Sequence, residues 1–373
     1  MSDIGLIIAW PNHLDKAATV NEEISEKFRI LECYDIEWDK NNLYRNFYRF
    51  YGERLATSSI KEKATEGNVF RLVIFEDGEP QYGFRATARG IERVNTRLFD
   101  FKKALRKKLQ TRFGIHASND ETETSRDLSL LLGINLGEFK AREIPEWDGD
   151  TIHRQRDVSG MNGWKNFEEF FHVMNSVEPY LVLRNADCIP DLPEDEDIDF
   201  LVRDPVKFAF FTDAKKLSRG TERANYEIVV SGKKINVDFR YVGDGYFDAA
   251  WQDDCMRKRR MNEKGIYVMD DENAYFTLAY HSFIHKKEFP DKYLTYFNTD
   301  AETLKDRLYA FMHQNGYKMV EPRDVTLHFN REYGGDMRFS RDRRIRLKKG
   351  LVGRIKRLFY KLNHAVHFRR GPA

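Results

Sequence analysis

Residues 180–204 read YLVLRNADCIPDLPEDEDIDFLVRD, and the second half of the chain makes sense as support for that stretch. Tyr180 to Leu183 and Phe200 to Val202 are short runs of β-formers, read as buried strands on either side of a turn rich in Pro and Asp. The second strand is entered through Asp197-Ile198-Asp199. Alternation along a strand puts both carboxylates on one face and turns Ile198 into the core. A third acid, Asp238, lies in the alternating run Lys234-Ile235-Asn236-Val237-Asp238-Phe239, with Ile235, Val237 and Phe239 facing away from it. Carboxylates side by side repel unless a cation sits between them, and oxygen ligands of this kind suit Mg²⁺ or Mn²⁺. Taken alone, Asp-Ile-Asp can be a solvated strand edge. The strand and loop before it, Asp238 after it and the flanking helices favour a metal site at Asp197, Asp199 and Asp238.

At 373 residues the chain exceeds the usual size of one domain, so two are expected. An apolar content of 41% can fill two cores, and 14% aromatics argues against disorder. Lys plus Arg number 62 against 60 acidic residues, so net charge identifies no partner. Cys33, Cys188 and Cys255 are far apart in sequence and lack metal-like spacing, which suggests packing roles in a reducing cytosol. Ile4 to Trp10 is too short for a secretory signal and lacks a basic leader, and nothing approaches the ~20 apolar residues of a spanning helix. A cytoplasmic location is expected.

Residues 1–145 are read as a first domain. Ile4 to Trp10 is a buried strand, Asn21 to Phe28 a helix, Arg29 to Trp38 a strand, and Leu43 to Tyr51 an aromatic helix. Phe70 to Phe75 and Tyr82 to Thr87 flank Asp77-Gly78, a hairpin signal. A basic stretch from Arg97 to Arg112, a strand at Phe113 to His116 and an amphipathic helix from Thr122 to Leu132 complete a sheet-and-helix sandwich.

In the second half, Asn166 to Ser176 reads as a helix burying Phe167, Phe170, Phe171 and Met174. Residues 146–165 form a polar linker, and 166–345 a second domain. Tyr226 to Val230 joins the Asp238 strand through a Ser231-Gly232 turn. Arg240 lies on the Asp238 face, free to pair with an acid or with a donor phosphate. Asp271 to Lys287 reads as a long helix with His281 and His285 on one face. With Lys286, Lys287 and Lys292 these histidines either form a surface facing a diphosphate or pack in the fold.

The LRN loop followed by DIDFLV and a later Asp resembles the nucleotidyltransferase superfamily, over roughly residues 160–300. It looks most like the nucleotidyltransferase-fold proteins of bacterial surface-polysaccharide pathways. The family usually has Gly-Ser or Gly-Gly in the loop; here Arg184-Asn185 stands there, and a guanidinium can bind phosphate bidentately. The resemblance implies a metal-dependent transferase. It would move a sugar, or a sugar or alditol phosphate, from a nucleotide-activated donor to a glycan or lipid-linked acceptor, using Arg184, Asn185, Arg240, His281, His285 and Lys286 on substrate. Transfer of a nucleoside monophosphate, or a non-catalytic nucleotide-binding scaffold, are the alternatives.

The first domain resembles a nucleoside diphosphate kinase in IIAWPN, RATARGIERVN at 85–95 and GIHASND at 114–120. That likeness implies a ferredoxin-like sheet, places the phosphoryl-accepting histidine at His116, and roughly matches the phosphate-binding arginines to Arg85 and Arg106. Trp10-Pro11-Asn12 replaces the family's Lys-Pro-Asp, Phe113 takes the place of an Asn, and Asp127 is shorter than the orienting Glu, so a degenerate nucleotide-binding or scaffolding domain is expected. Such domains often assemble, so a homo-oligomer is possible. The fold class expected for the whole chain is α/β (α+β): a ferredoxin-like kinase-type domain, a mixed-sheet nucleotidyltransferase-like domain and a C-terminal amphipathic helix.

That helix is read in 346–373, where Leu351, Val352, Ile355, Leu358, Phe359, Leu362 and Val366 form one stripe among Arg354, Lys356, Arg357 and Lys361. It suits the headgroup plane of an anionic membrane at the inner face, or packing on the domain. It lacks a nucleic-acid motif, and no nucleic-acid partner is expected.

Overall fold

The computed structural model describes residues 2–65, 67–87, 90–193, 197–218, 225–290, 293, 296–324 and 327–330. The basic tail at 346–373, with its proposed membrane contact, and Lys292 lie outside the described residues. The protein is α+β, with a five-stranded and a seven-stranded sheet and a separate two-stranded ribbon.

The chain opens with β1 (Asp3–Ala9), whose Leu6, Ile7 and Ile8 are wholly buried, followed by α1 (Ala17–Ser25), β2 (Arg29–Glu37), α2 (Leu43–Tyr51), α3 (Thr57–Ala64) and β3 (Val69–Asp77). Next come β4 (Tyr82–Thr87), β5 (Gly90–Asn95), α4 (Thr96–Lys108), β6 (Ile115–Ala117), α5 (Glu121–Leu131), α6 (Leu136–Lys140) and β7 (Ile152–Gln155). The sheet order is β6-β1-β3-β2-β7, antiparallel throughout except for the parallel β2–β7 edge. Its first four strands have the order of a ferredoxin-like sheet.

Two expectations fail here. Asp77-Gly78 does not close a hairpin: β4 pairs with β5 instead, Phe84 opposite Arg93. The physical reason is that the Asp77 carboxylate accepts from Arg97 (2.7 Å) and from Asn95 Nδ2 (2.9 Å), which ties the end of β3 to the start of α4. The second failure is the linker at 146–165. Its residues 152–155 form β7, and Trp164 makes a parallel bridge to Val230 while its indole donates to Thr212 O (3.0 Å).

The second sheet follows from α7 (Phe167–Val177), β8 (Tyr180–Val182), β9 (Ile198–Val202), α8 (Pro205–Thr212), β10 (Lys215–Lys216), β11 (Asn225–Val230) and β12 (Lys233–Tyr241). After α9 (Ala249–Arg257) the chain returns with β13 (Arg260–Met261) and β14 (Tyr267–Val268), giving the order β10-β11-β12-β9-β8-β14-β13. Asn166 caps α7 by accepting from Glu169 N (2.8 Å), and Asp204 caps α8 by accepting from Val206 N and Lys207 N. Phe170, Phe171, Tyr180, Phe200, Phe208 and Phe239 are buried together as the core of this sheet.

The chain divides into two compact units, but not at 146–165. The first holds both sheets: residues up to Ser218, Asn225–Phe239 and Met261–Val268. The second contains Arg240–Arg260 and the residues from Met269 on. Within it, Trp251 of α9 is fully buried against Tyr280, at the end of α10 (Asp271–Tyr280), and Phe311 of α11 (Ala301–Asn315).

Within the first unit the two sheets are joined through α2 and α8. Arg49, buried on α2, donates to Ser159 O (2.6 Å), Phe210 O (3.3 Å) and Phe211 O (2.8 Å), and its guanidinium lies 5.5 Å from the Trp164 ring. Burial pushes this arginine down to about 10. Gly52 ends α2 at φ +68, where a Cβ would meet the Phe211 ring at 2.6 Å, so the close approach of the helices needs glycine. Arg49→Ala should lower the unfolding free energy by roughly 2–4 kcal/mol, because the buried Ser159 and Phe211 carbonyls lose the guanidinium donor and a cavity opens. Urea denaturation checks this, and Arg49→Lys should recover only part of the loss because an ammonium lacks the planar fork.

Candidate metal and phosphate site

The antiparallel β8–β9 ladder pairs Tyr180 with Val202 and Val182 with Phe200, and Leu183 N extends it by donating to Asp199 O (2.8 Å). That register leaves Arg184 beside the Asp-Ile-Asp entrance to β9. Ile198 is buried in the core, as alternation requires, and Asp199 is only 8% exposed. On β12, Val237 pairs with Tyr226 and Asp238 with Asn225, so Val237 and Phe239 enter the core while Asp238 projects from the other face. β12 and β9 are neighbours in the sheet.

One carboxylate oxygen from each of Asp197, Asp199 and Asp238 lies within 4.8 Å of the other two, with Asp197 exposed, Asp199 buried and Asp238 half-buried. All three ligand atoms are hard oxygens, which fits Mg²⁺ or Mn²⁺ and not a soft-ligand metal. Arg184 Nη2 forms an ion pair with Asp199 Oδ2. Asn185 adopts a left-handed conformation (φ 60) and starts a 3₁₀ turn at Ala186–Cys188. Lys264, in the turn between β13 and β14, donates to Asp187 O (2.5 Å) and Ile189 O (2.7 Å) and so pins this loop. Lys264 was not singled out from sequence. The strands around it are two residues long each, too short for a periodic signal.

The other expected substrate residues behave differently. Arg240 pairs with Asp324 (3.1 Å) inside the second unit, both side chains nearly inaccessible, and lies 4.8 Å from the Tyr246 ring. Of its two expected partners the structure provides the acid. His281 and His285 do not form a surface: α10 stops at Tyr280 and passes into a π-helical turn at His281–His285, with both rings buried. His281 Nδ1 is 2.8 Å from Tyr246 Oη, and His285 stacks on Tyr246 at 4.4 Å. The two rings lie 5.5 Å apart, on one side of the turn as the i, i+4 spacing implies, but that side faces the interior. Lys286 is exposed.

In the first domain, His116 on β6 hydrogen-bonds Asp127 Oδ2 (2.8 Å), and Arg126 holds the other Asp127 oxygen through Nε and Nη2 (2.9 and 2.6 Å). Burial alone would lower the Arg126 pKa, but the Asp127 and Glu123 carboxylates outweigh it and raise it. The shorter acid therefore reaches the histidine, and Arg126 neutralises it. His116, Glu123 and Asp127 also lie close enough to hold a cation, yet Arg126 already supplies one. Arg106 donates twice to Ile115 O (3.0 and 2.6 Å), next to His116. Arg85 is not part of this cluster: it forms an exposed ion pair with Asp100 (2.8 Å). Trp10 is a core residue, packed on Trp38, Phe47, Phe50 and Phe70.

Lys63, which the sequence did not flag, donates to Ser59 Oγ (2.7 Å) and lies 4.9 Å from the Phe113 ring and 5.6 Å from that of Tyr51, itself beside His116. Burial pushes its pKa down to about 8, Glu62 opposing the fall and Arg106 adding to it.

No family model and no curated protein matches the chain. Among solved structures it is similar to a crystal form of the Aquifex aeolicus nucleoside diphosphate kinase, at 14% identity and a TM-score of 0.24, over 34% of this chain and 93% of that one. Among the described residues no helix is long and apolar enough to cross a membrane.

Two outcomes are expected. Asp197→Asn removes one of the three carboxylates whose oxygens converge within 4.8 Å. Millimolar Mg²⁺ should raise the wild-type Tm and leave the variant's unchanged in scanning calorimetry. For Lys63, between pH 8 and the unfolded value of 10.5 the unfolded chain holds a proton that the folded one has lost, so stability rises with pH in that window. Lys63→Met should therefore have the higher urea midpoint at pH 7, and its advantage over the wild type should shrink from pH 8 to 10.

Proposed function

We propose that this protein is a metal-dependent transferase acting on a nucleotide-activated donor, moving a sugar or a sugar or alditol phosphate to a surface-polysaccharide acceptor. The observation that supports this reading is the convergence of Asp197, Asp199 and Asp238 within 4.8 Å of one another, beside the Arg184 guanidinium. Mg²⁺ or Mn²⁺ bound to these three carboxylates would supply charge neutralisation for the donor diphosphate. Arg184, one residue beyond the β8–β9 ladder, carries a fork that matches a phosphate oxygen pair. Asp238, half-buried on a neighbouring strand, serves as a third ligand or accepts the proton of the attacking hydroxyl. The buried position of Asp199 keeps its charge poorly solvated and strengthens its electrostatic influence on a bound ligand. Asn185 shapes the loop between Arg184 and the acids through its left-handed backbone.

Incubating the full chain with a panel of nucleotide-activated sugars and alditols, Mg²⁺ and glycan acceptors, then separating the released nucleotides, tests this. Sugar or alditol-phosphate transfer releases a nucleoside diphosphate or monophosphate, and turnover should fall at least ~100-fold in Asp199→Asn. Pyrophosphate released from a nucleoside triphosphate would instead indicate transfer of the nucleoside monophosphate. Absence of turnover, with nucleotide binding that survives Asp197→Asn, would leave a scaffold.

A further inference from the structure

The loop that leads from β7 into α7 lines a cavity of about 450 Å³ within the first unit, a volume in the range of small-molecule pockets. Arg156 is the fixed group in it. Its backbone N–H donates to Glu37 O (3.0 Å), its Nη2 donates to Ser159 Oγ (3.1 Å), and Ser159 Oγ donates in turn to Ser129 O (2.9 Å). The guanidinium lies against Gly133, where a Cβ would stand 3.3 Å from Nη2. Among the described residues no carboxylate pairs with Arg156, and its Nε and Nη1 have no acceptor yet are not sealed in the interior. Burial lowers its pKa, Glu169 opposing the fall and Arg154 adding to it.

Other donors around the cavity are also unspent. The exposed Lys165 ammonium has no ion pair among the described residues, and the N–H groups of Gly160 and Asn162 have no acceptor there. Bonded to the carbonyl of the lining residue Ser159, Arg49 is 2% exposed and leaves its Nη1 without an acceptor, so a second guanidinium without an ion pair adds to the positive potential. The acids of the cavity are engaged. Asp157 accepts from Asp39 N (2.9 Å), Asn42 Nδ2 (2.7 Å) and Asn46 Nδ2 (2.6 Å), and Glu169 accepts from Lys165 N (2.7 Å). Occupied acceptors beside open donors make a place that takes up an anion.

We propose that this cavity binds the phosphate group of a small phosphomonoester through Arg156 and Lys165. Three terminal oxygens give a phosphate more acceptor sites than a carboxylate for the open donors, and charge-assisted bonds of this kind are the strong ones. The volume exceeds what a bare phosphate fills and leaves room for the carbon skeleton of the ester. The site shares no residue with the three aspartates and does not depend on what they bind.

Isothermal titration calorimetry of the full chain with α-glycerophosphate, in EDTA to keep divalent ions off the aspartates, tests this. The wild type should show saturable heat with a Kd of about a millimolar or tighter. Arg156→Gln should weaken binding at least ~10-fold, and Lys165→Gln, a change on the exposed rim, about 3–10-fold. Thermal melts without ligand establish that each variant is folded, and the ester should raise the wild-type Tm while leaving that of Arg156→Gln unchanged. Inorganic phosphate should compete, and succinate should compete at least ~10-fold less well. Succinate binding that is tighter than the ester's and lost in Arg156→Gln would overturn the phosphate in favour of a carboxylate. Absence of saturable heat, or ester binding unchanged in Lys165→Gln and in folded Arg156→Gln, overturns the site. Should Arg156→Gln not fold, unchanged binding in Lys165→Gln alone overturns it.

Discussion

Three carboxylates crowded at one edge of β9 and β12 repel one another, and the second sheet is built so that this repulsion cannot push them apart. Asp199 lies between Ile198 and Phe200, both buried, and its carbonyl is tied to Leu183 N. Moving the acid would require pulling those side chains out of a core shared with Phe170, Phe171, Tyr180, Phe208 and Phe239. Burial of one large apolar side chain contributes about 1.5–3 kcal/mol, several times a screened repulsion between partly exposed charges. Packing therefore dictates where the charges sit, and Arg184 pairs with Asp199. A site that is stabilised from behind and repulsive in front is suited to a cation.

The first sheet shows the reverse balance. Its acids already have hydrogen-bond partners within the fold: His116 leans on Asp127, and Arg126 holds both Asp127 and Glu123. Around it the aromatic content is high, with Phe47, Phe50 and Phe70 each packed on Trp10 and Tyr51 edge-on to His116. A tryptophan at position 10 fills volume and carries no charge. The same helix that brings Phe50 and Tyr51 to His116 brings Arg49 to the carbonyls of Phe210 and Phe211, so α2 belongs to both sheets at once. This is why a cut through 146–165 does not separate two bodies.

The second unit is held by polar groups turned inward. Arg240 and Asp324 pair in the interior, and Asp244 accepts from Tyr246 N and Gln252 Nε2 while burial pushes its carboxyl up. His281 and His285 belong to this interior through Tyr246. A buried ion pair offsets its own desolvation only when its geometry is tightly kept, and the Tyr246 ring, 4.8 Å from the Arg240 guanidinium, packs directly against it.

Much of the architecture could be read from the chain because it depends on local period and local chemistry. Alternation placed Asp197 and Asp199 on one face and Ile198 on the other, Ser231-Gly232 announced the β11–β12 hairpin, and the aromatic run at Leu43–Tyr51 had the spacing of a helix. The α+β class followed from the order of those elements. Other features were decided by partners distant in sequence. Asp77-Gly78 has the chemistry of a tight turn, but Asn95 and Arg97 claim its carboxylate; the 152–155 segment reads as polar loop until β2 offers it an edge. Whether a histidine, an arginine or a lysine faces solvent depends on what packs over it, and that is a property of the folded chain. Sequence order could suggest that Asp238 joins the other two acids, but only strand order in the sheet brings β12 beside β9, because adjacency in a sheet is set by which hydrophobic faces are buried together.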